Sequence, residues 1–176
     1  MGIFRKLLRQ KRIPPLDRAA APELVGSVPL SAAWTLAKGR VDGIDASARL
    51  LFITSGLDLD AAGRSRAWEF RFHLPQVGAV LWLSLEADPE SEDIDQAAWI
   101  ITQRSQPETE SDSALPSLPL PFRDSSDAVA ELAAAGVDFV AGPTDLKLES
   151  EVLSDGSACW VVRLRDDERR VPLKSE

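Results

Sequence analysis

Trp68-Glu69-Phe70-Arg71-Phe72-His73, Leu74-Pro75-Gln76-Val77-Gly78 and Ala79-Val80-Leu81-Trp82-Leu83-Ser84-Leu85-Glu86 follow one another without a break. In the first block large apolar and charged side chains alternate with a period of two. The second carries the proline and glycine of a turn, and the third is a long apolar run. This is the pattern of strands with one face in a core, and it predicts a β-hairpin over 68–86. By that alternation Phe70 and Phe72 point inward while Glu69, Arg71 and His73 point outward as solvated groups. If Leu81, Leu83 and Leu85 face the core, Val80 and Trp82 face the other way. A strand apolar on both sides is either covered by another element or open to a partner. Cover by the N-terminal segment, by the second half of the chain or by a second subunit is expected. Val80, Trp82, Arg71 and His73 are therefore the candidate binding residues.

Upstream of the hairpin, 48–54 reads as a strand, and Ser31 is placed to cap a short helix over 32–38 that ends at Gly39. Residues 1–30 comprise a basic segment and an Ala/Pro-rich, irregular lead-in. Downstream lies an acidic loop, and then 98–103, a strand by its β-branched content; a helix capped by Ser91 is the alternative there. Four prolines and four serines make 105–121 a linker. Ser125-Ser126-Asp127 opens a second helix over 127–135, closed by Gly136. Strands follow over 144–152 and 158–165, joined by the turn Ser154-Asp155-Gly156-Ser157. A last short strand lies near 171–174.

The two halves read alike. Trp68-Glu69-Phe70-Arg71-Phe72 aligns with Trp160-Val161-Val162-Arg163-Leu164, and Gly39-Arg40-Val41-Asp42 echoes Gly136-Val137-Asp138. One helix with three strands makes a poor core alone, whereas two such units sharing a sheet would bury both helices and both tryptophans. The expected fold is α+β: two degenerate helix-plus-antiparallel-sheet repeats, 31–104 and 125–176, packed into one domain and joined by a Pro/Ser-rich linker, 105–124.

Ser126-Asp127-Ala128 opening a helix, and the Trp160 strand with its return strand, resemble the PepSY-like family, in which a helix packs across a small antiparallel sheet, often in tandem. Residues 31–86 are a looser copy. The resemblance implies a non-catalytic binding or inhibitory module. The acidic and proline-rich insertion departs from the family, as does the lack of an evident secretion signal, and both count against an extracellular, protease-linked role.

Composition narrows the alternatives. A net charge of −8 over 176 residues argues against wholesale nucleic-acid binding, which needs clustered Lys and Arg. Cys159 is the only cysteine, so neither an intramolecular disulfide nor a multi-cysteine zinc site can form. With no apolar run long enough to span a bilayer and no secretory h-region, the cytoplasm is the expected location. Five Trp and six Phe without a Tyr point to dry aromatic packing.

Residues 1–12 hold five basic side chains and no acidic one, with Ile3, Phe4, Leu7 and Leu8 on one helical face. Such a helix could lie on a membrane surface or dock on its own acidic domain, since 13–176 carry 15 basic and 28 acidic residues. Asp58, Asp60, Gly63 and Glu69 approach a calcium-loop spacing, but Ala62 occupies a ligand position. His73 is the only histidine, which excludes the HExxH pair. No GxSxG elbow, GxGxxG or Walker context exists. The acidic loop 86–95 could supply paired carboxylates to a small metal-assisted enzyme. A binding module with a protein partner or a second copy, without a cofactor, is the expected function.

Overall fold

In a computed structural model of the chain the described residues are 18–137, 139, 147–164 and 167–173. The first part runs β1 (Ala19–Val25), β2 (Val28–Pro29), α1 (Leu30–Asp42), β3 (Arg49–Ser55), β4 (Arg64–Ser65), β5 (Ala67–Leu74) and β6 (Ala79–Ala87). After a 3-10 turn come β7 (Ala98–Pro107), α2 (Glu110–Ala114), α3 (Ser125–Ala134), β8 (Lys147–Val152), β9 (Ala158–Leu164) and β10 (Asp167–Pro172). Eight strands form one antiparallel sheet in the order β1-β7-β6-β5-β3-β8-β9-β10, and β2 pairs with β4 separately. The fold is α+β, dominated by this sheet.

The hairpin is where alternation places it: Trp68 pairs with Leu85, Phe70 with Leu83 and Phe72 with Leu81. These side chains are buried under α1 and α3 in one continuous core that also takes in Trp99, Trp160 and Val162. Helix α1 contributes the stripe Leu30, Ala33, Ala37 and Val41, spaced for one helical face. An aromatic chain crosses the core, with ring centroids 6.0 Å apart for Phe72–Trp34, 5.2 Å for Trp34–Phe122 and 6.3 Å for Phe122–Trp160. Phe122 lies in the expected linker, so that segment helps to close the core.

Several expectations are corrected. Residues 19–25 are not irregular lead-in but an edge strand, interrupted between Ala21 and Val25, where Pro22 need not donate to a ladder. Helix α1 begins at Leu30 and continues through Gly39, because burial of Val41 outweighs one glycine. Ser31 is not its cap. Helix α3 starts at Ser125, earlier than the expected 127, and is capped by Asp124. The stretch read as a linker contains the end of β7 and all of α2. The basic segment 1–12, and with it the membrane-surface reading, lies outside the described residues, as do 144–146, 165 and 174.

The two halves of the sheet meet at β3 and β8, and hydroxyls stitch that seam. Ile53 N–H donates to Ser150 Oγ at 2.8 Å, and Leu148 N–H donates to Ser55 Oγ at 2.9 Å. Both serines are buried. Ser150→Ala is therefore expected to strand the Ile53 amide and cost about 1–3 kcal/mol in urea denaturation, against a few tenths for an exposed serine such as Ser154. A loss no larger than at Ser154 would mean that the amide finds another acceptor.

The helix N-termini also meet. Leu30 N–H donates to Ser125 Oγ, which donates to Gly63 O at 2.6 Å. Gly63 has φ +72°, and a Cβ there would stand 2.5 Å from Ser126 N, so only glycine permits this approach.

Candidate functional site

The face of the sheet away from α1 and α3 carries two transverse rows of side chains. Phe52, Arg71, Trp82 and Arg104 stand directly opposite one another across β3, β5, β6 and β7. Arg49, His73, Val80 and Gln106 form the next row. Cross-strand neighbours at this spacing touch. The Arg71 guanidinium lies 4.7 Å from the Trp82 ring centroid and that of Arg104 lies 5.6 Å from it, so the indole sits between two cations.

Residues 108–118 cross this face as a strap. Thr109 and Asp112 form a capping box that starts α2. Arg71 Nη2 donates to Asp112 Oδ1 at 2.5 Å. Arg49 Nη2–H donates to His73 Nδ1 at 2.6 Å and to Ser113 O at 3.1 Å. Arginine offers only donors, so His73 Nδ1 must accept, and the ring proton sits on Nε2, facing Glu108 Oε2. At the strap's end Leu118 N–H donates to Leu50 O.

The strap changes the status of two candidates. His73 is on the outward side, as alternation requires, but it is 4% exposed rather than solvated. Val80, expected on the outward side and covered there, is enclosed completely. Trp82 and Arg71 remain half-buried and line a groove of about 440 Å³, together with Leu51, Phe52, Leu115 and Val152. A bulge between Leu50 and Phe52 places Leu51 here instead of in the main core. The sequence reading omitted Arg49, Arg104, Glu108 and Asp112. Only the capping-box spacing Thr109-x-x-Asp112 signalled order in that segment.

The groove and the row of side chains that continues past Trp82 to Arg104 carry unspent donors. Arg71 Nε is buried without an acceptor among the described residues. Trp68, Trp99 and Trp160 each donate an indole N–H to a backbone carbonyl, whereas Trp82 has no such acceptor among the described residues. Arg104 is exposed and has no carboxylate partner among them.

Donors from the Thr109 hydroxyl and amide, outweighing burial and helped by Arg71, hold the Asp112 carboxyl below the usual aspartate range. The sign follows from linkage: a depressed folded value stabilises the strap at every pH above the unfolded value near 3.9, and the gain is lost as pH falls through the folded value. Below about pH 4, amides 109–115 are expected to lose hydrogen-exchange protection ahead of β5 and β6, and Asp112→Asn should remove that acid step. Simultaneous loss in strap and sheet would mean that the strap does not open separately.

The other candidates are structural. Asp58 accepts from Ser65 Oγ and from Arg66 N and Nε, and Asp60 accepts from the amides of Ala62 and Arg64. Burial raises the Asp58 carboxyl, but those Arg66 and Ser65 donors outweigh it and the net shift is downward. In the acidic loop Asp88 and Asp93 accept from loop amides, and Asp88 also pairs with Arg18. Among the described residues no three or more His, Cys, Asp or Glu are grouped to hold a metal. Burial, then Glu151, pushes the Cys159 thiol up, away from thiolate chemistry. No described helix is long and apolar enough to cross a membrane.

A second groove, of about 570 Å³, lies between α1 and the β1–β7 edge, with Ala19, Leu24, Leu36 and Ile101 in its walls. Comparison of the chain with family models, with curated proteins and with solved structures gave no match.

Proposed function

We propose that the chain is a non-catalytic binding module, a PepSY-like tandem repeat that takes a protein partner, or a second copy of itself, on the face of its sheet away from α1 and α3. The observation that carries this reading is the row Phe52-Arg71-Trp82-Arg104 beside an open groove, where apolar area and unpaired donors coincide. Binding surfaces are enriched in aromatic and arginine side chains of this kind.

Three features support the duplication. Trp68 donates its indole N–H to Val28 O and Trp160 to Arg123 O, and each carbonyl lies two residues before the helix of its own half. The strand order runs outward from the β3–β8 pair in both directions, β3-β5-β6 on one side and β8-β9-β10 on the other. The serine bonds across that pair are reciprocal.

The test compares affinity capture from native lysate, and gel filtration, for the wild type and Trp82→Ala. Trp82 is half-buried, so truncation should cost less than the about 3–5 kcal/mol of an enclosed aromatic. Loss of a captured partner or of a dimer, with the chain still folded, is the expected result. Identical capture and identical oligomeric state in both proteins would reject this face as the binding surface.

A further inference from the structure

We infer that the groove on the face away from α1 and α3 recognises an acidic peptide segment, one that places a carboxylate on the Arg71–Trp82–Arg104 row and a neighbouring bulky apolar side chain against Leu51, Phe52 and Val152. This inference rests on the binding-module reading and specifies its ligand.

Two arguments select this occupant. The first is charge complementarity. The chain as a whole is acidic, at −8, yet the row presents two guanidinium groups, and among the described residues Asp112 is the only carboxylate bonded to either. Among the described residues Arg71 keeps N–H groups with no acceptor beyond its bond to Asp112, one of them buried. Arg104 and the Trp82 indole N–H add further donors to the same row. A ligand brought here must supply acceptors, and a carboxylate accepting from arginine is the strongest short-range match. A basic or purely apolar segment would leave those donors unpaired.

The second argument is continuity with the strap. The strap already seats an acid on Arg71, and Leu115, three residues along, borders the groove. The face is thus built to hold an acidic residue with a leucine close by, and the strap fills only part of it. The remaining groove runs on past Pro116 to Glu151 and Val152 on β8, continuing the surface that the strap occupies. A volume of about 440 Å³ suits a few residues of extended chain rather than a folded surface. Glu151, the one acid in the groove's wall, pairs with Arg170, a cation that it shares with Glu168.

The test uses the full chain and an array of immobilised hexapeptides. One set carries Asp or Glu within three residues of Leu or Phe. A matched set carries Asn or Gln in place of the acid, and a third carries Lys. Fluorescein-labelled oligothymidylate is the nucleic-acid control. The expected result is retention by the acidic set, about tenfold or more above the amide set, and weaker as salt rises. Arg104→Glu, at an exposed residue with no carboxylate partner among the described residues, should keep the melting temperature and lose the acidic set. Arg71→Met should lose it too.

Equal retention of acidic and amide sets, with loss in Trp82→Ala, would overturn the acidic specificity while leaving the binding surface in place. Preference for the oligonucleotide would also overturn it. Retention of none of the probes, with lysate capture still sensitive to Trp82→Ala, would refute the peptide chemistry alone; insensitivity there as well would remove both readings.

Discussion

Truncation of Trp68 or Trp160 to alanine is expected to cost about 3–5 kcal/mol each, the range for an enclosed aromatic, with the midpoint of urea unfolding shifted and its slope unchanged. Both side chains are at most 1% exposed, so nearly all of their area is lost from the core. Each truncation also takes a donor from a backbone carbonyl at the entry to a helix, Val28 O for Trp68 and Arg123 O for Trp160. The phenylalanine variants separate these contributions. They retain an aromatic ring but lose the N–H, so about 1–3 kcal/mol is expected from each. If the halves are equivalent, the two phenylalanine variants should lose similar amounts, and each should loosen its own helix first, α1 for Trp68→Phe and α3 for Trp160→Phe. Hydrogen exchange reads that directly. Loss of protection in the opposite helix, or in neither, would count against the equivalence even if the stability losses agreed.

The same tryptophans show what could be read in the chain. Alternation around Trp68 specifies which side chains enter the core, because an inward set at every second position fits only one register. Helix α3 announces itself by a local start signal, and Gly136, at φ +92°, follows its end. For α1 the local signal points to Ser31 and misplaces the start, because the capping groups sit 93 residues away on Asp124 and no local pattern records them. The candidate site divides along the same line. The outward direction of Arg71, His73 and Trp82 follows from the period of the strand. The burial of His73 and Val80 does not, because the strap that covers them comes from a stretch whose composition reads as a spacer. Arg104 joins the row only through the pairing of β6 with β7, a register that neither strand encodes alone.

Asp124→Ala is expected to loosen both helices at once and cost about 1–4 kcal/mol, twice the usual range for a single N-cap. One carboxylate serves two helix starts. Its Oδ1 accepts from Ser31 N at 2.9 Å and from Ser125 N at 2.8 Å, and its Oδ2 accepts from Ser31 Oγ at 2.8 Å. Pro29, at the N-cap position of α1, makes no side-chain bond, so the first turn of that helix depends on groups brought by α3. A negative charge shared by two helix N-termini also interacts favourably with the positive ends of both macrodipoles. Asp124→Asn keeps the amide oxygen as an acceptor, and asparagine caps about as well as aspartate, so most of the loss should be recovered, with the remainder diminishing as salt is added. Amide exchange at Ser31 and Ser125 should accelerate together in the alanine variant. If only Ser125 responds, and the loss stays near the about 1 kcal/mol of one ordinary cap, then α1 is held by its buried stripe alone and the junction does not couple the two halves.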